Sequence, residues 1–259
     1  MGAPAAAGAG GEGEDEASIA GAGAGAGEDV SGGCADGGDG FAAGFRLKRS
    51  NIGERREGAS FDAARGNWNS TPVPPAHRVR IIGGRHRGRR IAVPAAPGLR
   101  PTPDRVRETL FNWLGQDLAG RTTLDLYAGS GALTLEAQSR GAASSVAVDR
   151  NPALLRGLAD AAHAMGVEGV ELHADDALRY LAREARRFDV VFLDPPFADD
   201  PWAALFAALP PRLAPGARVY AEAARALALP PGWVLLRHGR AGGVHYHLLA
   251  LEGERPDAR

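Results

Sequence analysis

The chain has 259 residues and a formal net charge of −1, enough length for one ordinary core and too little net charge to name a partner. The total hides a split, because residues 1–76 carry 6 Lys/Arg against 11 Asp/Glu while residues 77–259 carry 24 against 20. Cys34 is the sole cysteine, which excludes an intrachain disulfide framework or a cysteine metal site and fits a reducing, cytoplasmic setting. No apolar run reaches the ~20 residues that span a bilayer, so no membrane partner is expected. The small, acidic N-terminus lacks the basic and apolar regions of a secretory signal.

Residues 1–76 are dominated by Gly and Ala with interspersed acids. They hold few large apolar side chains to offset the entropy of ordering, which predicts a disordered extension. Ordered structure is expected from about residue 77. Arg78–Ile82 alternates and reads as a strand, Gly83-Gly84 is a turn signal, and Arg89–Val93 reads as a return strand. From His77 to Arg107 there are nine arginines and one acid, Asp104, so this basic hairpin suits a polyanion. A solvated arginine-rich face is the competing reading. Pro94 to Pro103 is a connector. A helix follows, with Val106, Leu110, Phe111 and Leu114 at helical spacing.

Strand and helix then alternate. Strands are predicted over Thr122–Tyr127, Ser144–Val148, Val170–His173, Phe188–Leu193 and Ala217–Ala221. Helices are predicted over Leu133–Ser139, Pro152–Met165, Ala177–Ala185 and Pro201–Leu209. Trp233–Arg237 and Val244–Leu251 flank Gly239–Gly243 with no room for a helix, so they form an antiparallel hairpin. The expected fold is a doubly wound α/β domain, with a seven-stranded, mostly parallel sheet closed by that hairpin.

The first strand-to-helix junction reads Leu124-Asp-Leu-Tyr-Ala-Gly-Ser-Gly-Ala132. Gly129 and Gly131 allow a tight turn and close approach of a ligand to the backbone. Thr134 stands where a dinucleotide fingerprint has its third glycine, and no Gly-Lys-Ser/Thr occurs for Walker-type phosphate binding. Asp149 closes the second strand, where an acid can accept both hydroxyls of a ribose. Asp175-Asp176 follows the third, where an acid can meet an adenine amino group. The fourth ends in Asp194-Pro195-Pro196-Phe197. The prolines fix the backbone just past a buried strand. The Asp194 carboxylate and the following carbonyl are acceptors, suited to an amino group with two N–H donors. Phe197 is placed to stack on an unstacked base. His163, His173, His245 and His247 show no zinc spacing, and no metal is expected.

These motifs resemble the class I S-adenosylmethionine-dependent methyltransferases that modify amino groups. More narrowly, the chain resembles the RsmD family, which makes N2-methylguanine in bacterial 16S ribosomal RNA. The resemblance rests on Arg80-Ile-Ile-Gly-Gly-Arg85, Arg100-Pro-Thr-Pro-Asp-Arg-Val-Arg-Glu-Thr-Leu-Phe-Asn-Trp-Leu114, the Leu124–Leu133 junction, Asp194–Phe197 and Gly243-Val-His-Tyr-His-Leu248, within residues 78–251. It makes 77–259 a methyltransferase domain, with 78–115 serving RNA and the cofactor pocket and 122–251 the catalytic core.

The resemblance implies S-adenosylmethionine held by Asp125, Tyr127, Gly129 and Gly131, with Asp149 at the ribose, Asp176 near the adenine and Thr102 beside the pocket. Relatives often carry Glu at the position of Asp149, so its reach is shorter here, and they usually carry Gly at the position of Asp175, which leaves open which of Asp175 and Asp176 faces the ligand. Asp194, Pro195, Pro196 and Phe197 become the catalytic motif. Arg80, Arg85, Arg87, Arg89, Arg90, Arg100 and Arg105 become RNA contacts. The partner implied is 16S RNA or a small-subunit assembly intermediate, met by a monomer. The alternatives are an amino methyltransferase for DNA adenine, another RNA or a protein amide, and a non-catalytic RNA-binding assembly factor.

Overall fold

A computed structural model describes residues 61–62, 67–68, 75–94 and 102–253. Strands β1 (Phe61–Asp62) and β2 (Asn67–Trp68) pair antiparallel within the segment expected to be disordered. Otherwise that expectation, up to residue 74, lies outside the described residues, as does Arg100. Strands β3 (Pro75–Arg80) and β4 (Arg90–Pro94) form the basic hairpin, and α1 (Asp104–Leu114) follows. The larger sheet and its helices are β5 (Thr122–Asp125), α2 (Ala132–Ser139), β6 (Ser144–Asp149), α3 (Pro152–Met165), β7 (Val170–Ala174), α4 (Ala177–Arg183), β8 (Phe188–Leu193), α5 (Trp202–Ala208), β9 (Leu213–Ala223), β10 (Trp233–Ala241) and β11 (Val244–Leu251).

The sheet has seven strands in the order β7-β6-β5-β8-β9-β11-β10. All neighbours from β7 to β9 are parallel, and β11 runs antiparallel to both β9 and β10. The order reverses beside β5, with β6 and β7 built outward on one side and β8 and β9 on the other. That reversal opens a crevice above the carboxyl ends of β5 and β8, where ligands bind in sheets of this kind.

The central strands are apolar on both faces because helices cover both. Leu124, Val146, Val148, Val191, Leu193, Val219 and Leu249 pack against α4 and α5 with Tyr180, Leu181, Leu205 and Phe206. On the other face Val190, Phe192, Tyr220 and Tyr246 meet Val106, Leu110 and Phe111 of α1. Each such large side chain removed from water contributes about 1.5–3 kcal/mol.

The helices start and stop for local reasons. Asn151 caps α3 by accepting the Ala153 N–H at 2.9 Å, Pro152 occupies the first turn, and Gly166 ends the helix at φ 64°. Asp176 caps α4 through the N–H groups of Leu178 and Arg179.

Three details differ from the sequence-based expectation. The Gly83-Gly84 pair is not a tight turn between β3 and β4. The connection spans residues 81–89 and folds onto α2. Gly84 has φ 71°, and a Cβ there would lie 1.9 Å from the Ser139 carbonyl oxygen, so the pair serves a close backbone approach. Strand β9 begins at Leu213, earlier than expected, by accommodating Pro215-Gly216 where its pairing with β8 shifts register. Strand β10 continues through Gly239 to Ala241, leaving a two-residue Gly242-Gly243 turn with Gly242 at φ 59°. Gly239 sits inside that ladder opposite Tyr246, where a Cβ would come within 2.3 Å of the phenol Cζ. The absent side chain leaves room for the ring.

Candidate active site

The crevice gathers four acids at the ends of β5, β6, β8 and β9, together with the Asp175-Asp176 pair after β7. Asp125 ends β5, is 2 % exposed and accepts the Thr134 hydroxyl at 2.8 Å. Burial pushes its pKa up to about 7 and the nearby Asp149 charge adds to the rise, against the pull of the Thr134 hydroxyl and backbone N–H groups. The turn that follows holds Gly129 at φ 52° and Gly131 at φ 73°. A Cβ on Gly131 would lie 2.3 Å from Leu158 Cδ1, so the backbone and the packing of α3 already require this glycine.

Asp149 ends β6. Its Oδ2 accepts the Gly129 N–H at 2.8 Å and its Oδ1 accepts the Asn151 N–H at 2.7 Å. It therefore fixes the glycine turn, and each oxygen keeps further acceptor capacity. Burial raises its pKa, against the pull of these two N–H groups.

The two acids after β7 have separate fates. Asp175 is buried and tied to Arg183 and, at 2.7 Å, to Arg179. Asp176 is half-buried at the rim. Its Oδ1 takes the α4 N–H groups and its Oδ2 takes the Arg150 guanidinium at 2.6 Å. Burial pushes the Asp176 pKa up, but the Arg179 N–H and Arg150 outweigh it and hold it low. Arg150 also reaches Asp199 at 3.2 Å, tying the β7 end to the loop that carries Phe197. Tyr127 lies among Asp176, Arg150 and Asp199, and its phenol is pushed up to about 12, first by burial.

Asp194 follows β8 directly. Parallel pairing of β8 and β9 sets Phe192 beside Tyr220 and Leu193 beside Ala221. Continuing that register sets Asp194 beside Glu222, on the face shared by Phe192 and Tyr220. Glu222 is 4 % exposed and accepts the Tyr220 hydroxyl at 2.8 Å. The Thr102 hydroxyl faces both carboxyls. Burial raises both pKa values, and the Glu222 charge raises that of Asp194 further. Pro195 is buried beneath the motif, Pro196 is exposed, and Phe197 stands 46 % exposed at its rim.

Arg85, Arg87, Arg90 and Arg105 are exposed. Arg80 is also outward but pairs with Asp104 at 3.5 Å, and Arg89 donates to the Ala164 carbonyl at 3.2 Å. Alternation explains the basic surface. Val79, Ile81, Ile91 and Val93 are buried with Leu135 and Leu155, so the residues between them face out. Arg107 belongs to the basic stretch of sequence but not to this surface. It is fully buried, donating to the carbonyls of Thr102 and Arg80 and to Asp104.

Sequence reasoning missed Glu222, Arg150 and Glu136. Glu222 had a signal, an acid at the carboxyl end of a strand neighbouring Asp194. Arg150 follows the strand-end Asp149 and had none. Glu136 reads as an exposed helix residue, yet it is fully buried and accepts the N–H groups of Ile82 at 2.8 Å and Gly83 at 2.7 Å. Among the described residues no group of His, Cys, Asp and Glu could hold a metal ion, and no helix is long and apolar enough to cross a membrane.

The donor set fits S-adenosylmethionine. Asp125 is a buried acid with no cation partner among the described residues, the kind of group that suits a cationic aminoacyl moiety. Asp149 has acceptor capacity for ribose hydroxyls, and Asp176 stands farther along the same row of strand ends.

Residues 79–250 match the family model described as conserved hypothetical protein 95. The chain is 38 % identical over 192 residues to the ribosomal RNA small subunit methyltransferase D of Escherichia coli K12, covering 68 % of this chain and 92 % of the relative. It is 35 % identical over 131 residues to the putative rRNA methyltransferase YlbH of Bacillus subtilis, covering 49 % and 71 %. Among solved structures, the putative methyltransferase yhhF of Escherichia coli superposes with a TM-score of 0.62 at 38 % identity, over 68 % of this chain and 99 % of that one. A putative methylase of Haemophilus influenzae gives 0.57 at 34 % identity, over 67 % and 98 %. The chain therefore belongs to the conserved hypothetical protein 95 family, that of RsmD, and is an S-adenosylmethionine-dependent methyltransferase.

Proposed function

We propose that the protein methylates the exocyclic N2 amino group of a guanine in small-subunit (16S) ribosomal RNA. The observation that carries this reading is Asp194, a half-buried acceptor with no cation partner among the described residues, set at the carboxyl end of β8 beside the glycine turn and near the exposed ring of Phe197. The names of the relatives supply the RNA, and the outward arginines of the hairpin supply a surface for it.

In this reading Asp125, Tyr127, Gly129, Gly131, Asp149 and Asp176 hold the cofactor, and Asp176 rather than Asp175 takes the adenine side. When bound, the cofactor supplies an electrophilic methyl group. Asp194 and the Pro195 carbonyl accept the two N–H bonds of the amino group and aim its lone pair. Phe197 stacks on the extruded base. Formation of the N–C bond would be matched by loss of the methyl–sulfur bond of the cofactor, and one amino proton would pass to the Asp194 carboxylate or to water. Arg85, Arg87, Arg90 and Arg105 contact phosphate, with Arg80, Arg89 and Arg100 beside them. The protein acts as a cytoplasmic monomer on the RNA or on an assembly intermediate.

The test is transfer from labelled S-adenosylmethionine to small subunits from a strain lacking the enzyme, followed by mass-spectrometric mapping of modified nucleosides. Labelled N2-methylguanine at a single position is expected. Label in protein, in adenine or nowhere would overturn the proposal.

A further inference from the structure

Asp194 accounts for one amino group, yet the crevice contains a neighbouring buried carboxyl that the proposed chemistry does not use. Glu222 lies beside Asp194 on the adjacent parallel strand and on the same face of the sheet. The Tyr220 hydroxyl donates to its Oε1 at 2.8 Å, which anchors the carboxyl on that face, where the Thr102 hydroxyl faces it and Asp194 together. Among the described residues no ion pair reaches either acid, so the pair presents acceptors without a compensating cation. Such a site is costly unless several N–H donors enter it together.

We infer that Glu222 is a specificity residue that accepts the ring N1–H of the target guanine while Asp194 accepts its 2-amino group. This deepens the function proposed above and rests on it. The edge of guanine carries N1–H and one 2-amino hydrogen side by side, two donors pointing the same way, while the other 2-amino hydrogen turns toward N3. Adenine carries an amino group beside a bare N1 lone pair, which would face a carboxylate lone pair. The two acids thus distinguish the bases by an added repulsion as well as an added bond. Burial raises both pKa values in the free protein, and the Glu222 charge raises that of Asp194 further, as expected of acids that await donors.

The test compares small subunits assembled on RNA ligated to carry either guanine or 2-aminopurine at the mapped position. 2-Aminopurine keeps the 2-amino group and has no N1–H. The wild type is expected to prefer guanine about 100-fold or more in single-turnover transfer. Glu222→Ala brings that ratio to near 1. Glu222→Gln retains a neutral acceptor and lowers the ratio about tenfold. Cofactor affinity by calorimetry confirms the folded state, and Glu222→Gln carries the test if Glu222→Ala binds no cofactor. An unchanged ratio in the folded variants overturns the inference, as does a wild type indifferent to the two bases. A wild type that transfers to neither base overturns the proposed function itself.

Discussion

Arg107 and Glu136 are both fully buried, with Arg107 Nη1 lying 3.8 Å from Glu136 Oε2. Glu136 also binds Arg140 at 2.8 Å and the N–H groups of Ile82 and Gly83. Arg107 reaches the Arg80 carbonyl at 2.9 Å. This buried pair fastens the basic hairpin, α1 and α2 to one another, and so sets the arginine surface relative to the crevice. Glu136→Ala leaves Arg140 buried without a carboxylate and Arg107 with only the exposed Asp104, and should destabilise the fold by about 3 kcal/mol. Denaturant unfolding measures this, and a loss below about 1 kcal/mol would show that the hairpin does not depend on the pair.

Gly84 and Gly88 provide a matched comparison on the same loop. Both have positive φ, 71° and 85°, but a Cβ on Gly84 meets Ser139 whereas one on Gly88 meets nothing within 4 Å. Gly88→Ala should cost only the left-handed strain, about 1–2 kcal/mol, and keep transfer to RNA. Gly84→Ala should undock the loop from α2 and reduce transfer at least tenfold more than Gly88→Ala, with cofactor affinity retained. Equal transfer rates would place the docked loop outside RNA recognition.

The acids of the crevice give stability a defined pH dependence. The folded pKa of Asp125 is raised to about 7, and those of Asp194 and Glu222 are raised as well. The native state therefore holds more protons than the unfolded chain above the ordinary carboxylate range. Stability should fall as pH rises from about 4 toward about 7. Asp125→Asn removes its share and should flatten the profile. Stability rising with pH through this window, after allowance for other groups, would contradict the burial of uncompensated acids.

Much of this was legible because it rests on short-range rules. Apart from Asp189 the run Phe188–Leu193 is apolar and read directly as a strand, and the Ala/Leu run read as a helix from Pro152 to Met165 is α3. The acids at the strand ends followed from the strand ends. What was hidden depends on the tertiary arrangement. Every residue of α2 is buried, including Thr134, Glu136 and Gln138, because the hairpin and α1 cover the side that a sequence reading leaves to solvent. Glu222 acquires meaning only once β9 is known to lie beside β8. The division of labour between Asp175 and Asp176 depends on Arg179, Arg183 and Arg150, which approach from different elements.

The exposed arginines should act through phosphate charge. Arg87→Gln and Arg90→Gln should weaken RNA binding without altering which guanine is modified. Each should reduce the slope of log affinity against log salt by about 1 where a phosphate contact is lost. An unchanged slope in the double variant would remove these two from the RNA surface.

The most direct test of the central claim separates cofactor binding from methyl transfer in Asp194→Ala. Transfer to small-subunit RNA should fall about 100-fold or more, with S-adenosylmethionine affinity by calorimetry within a few-fold of the wild type. Transfer at the wild-type rate, or loss of cofactor binding together with transfer, would contradict the role given to Asp194.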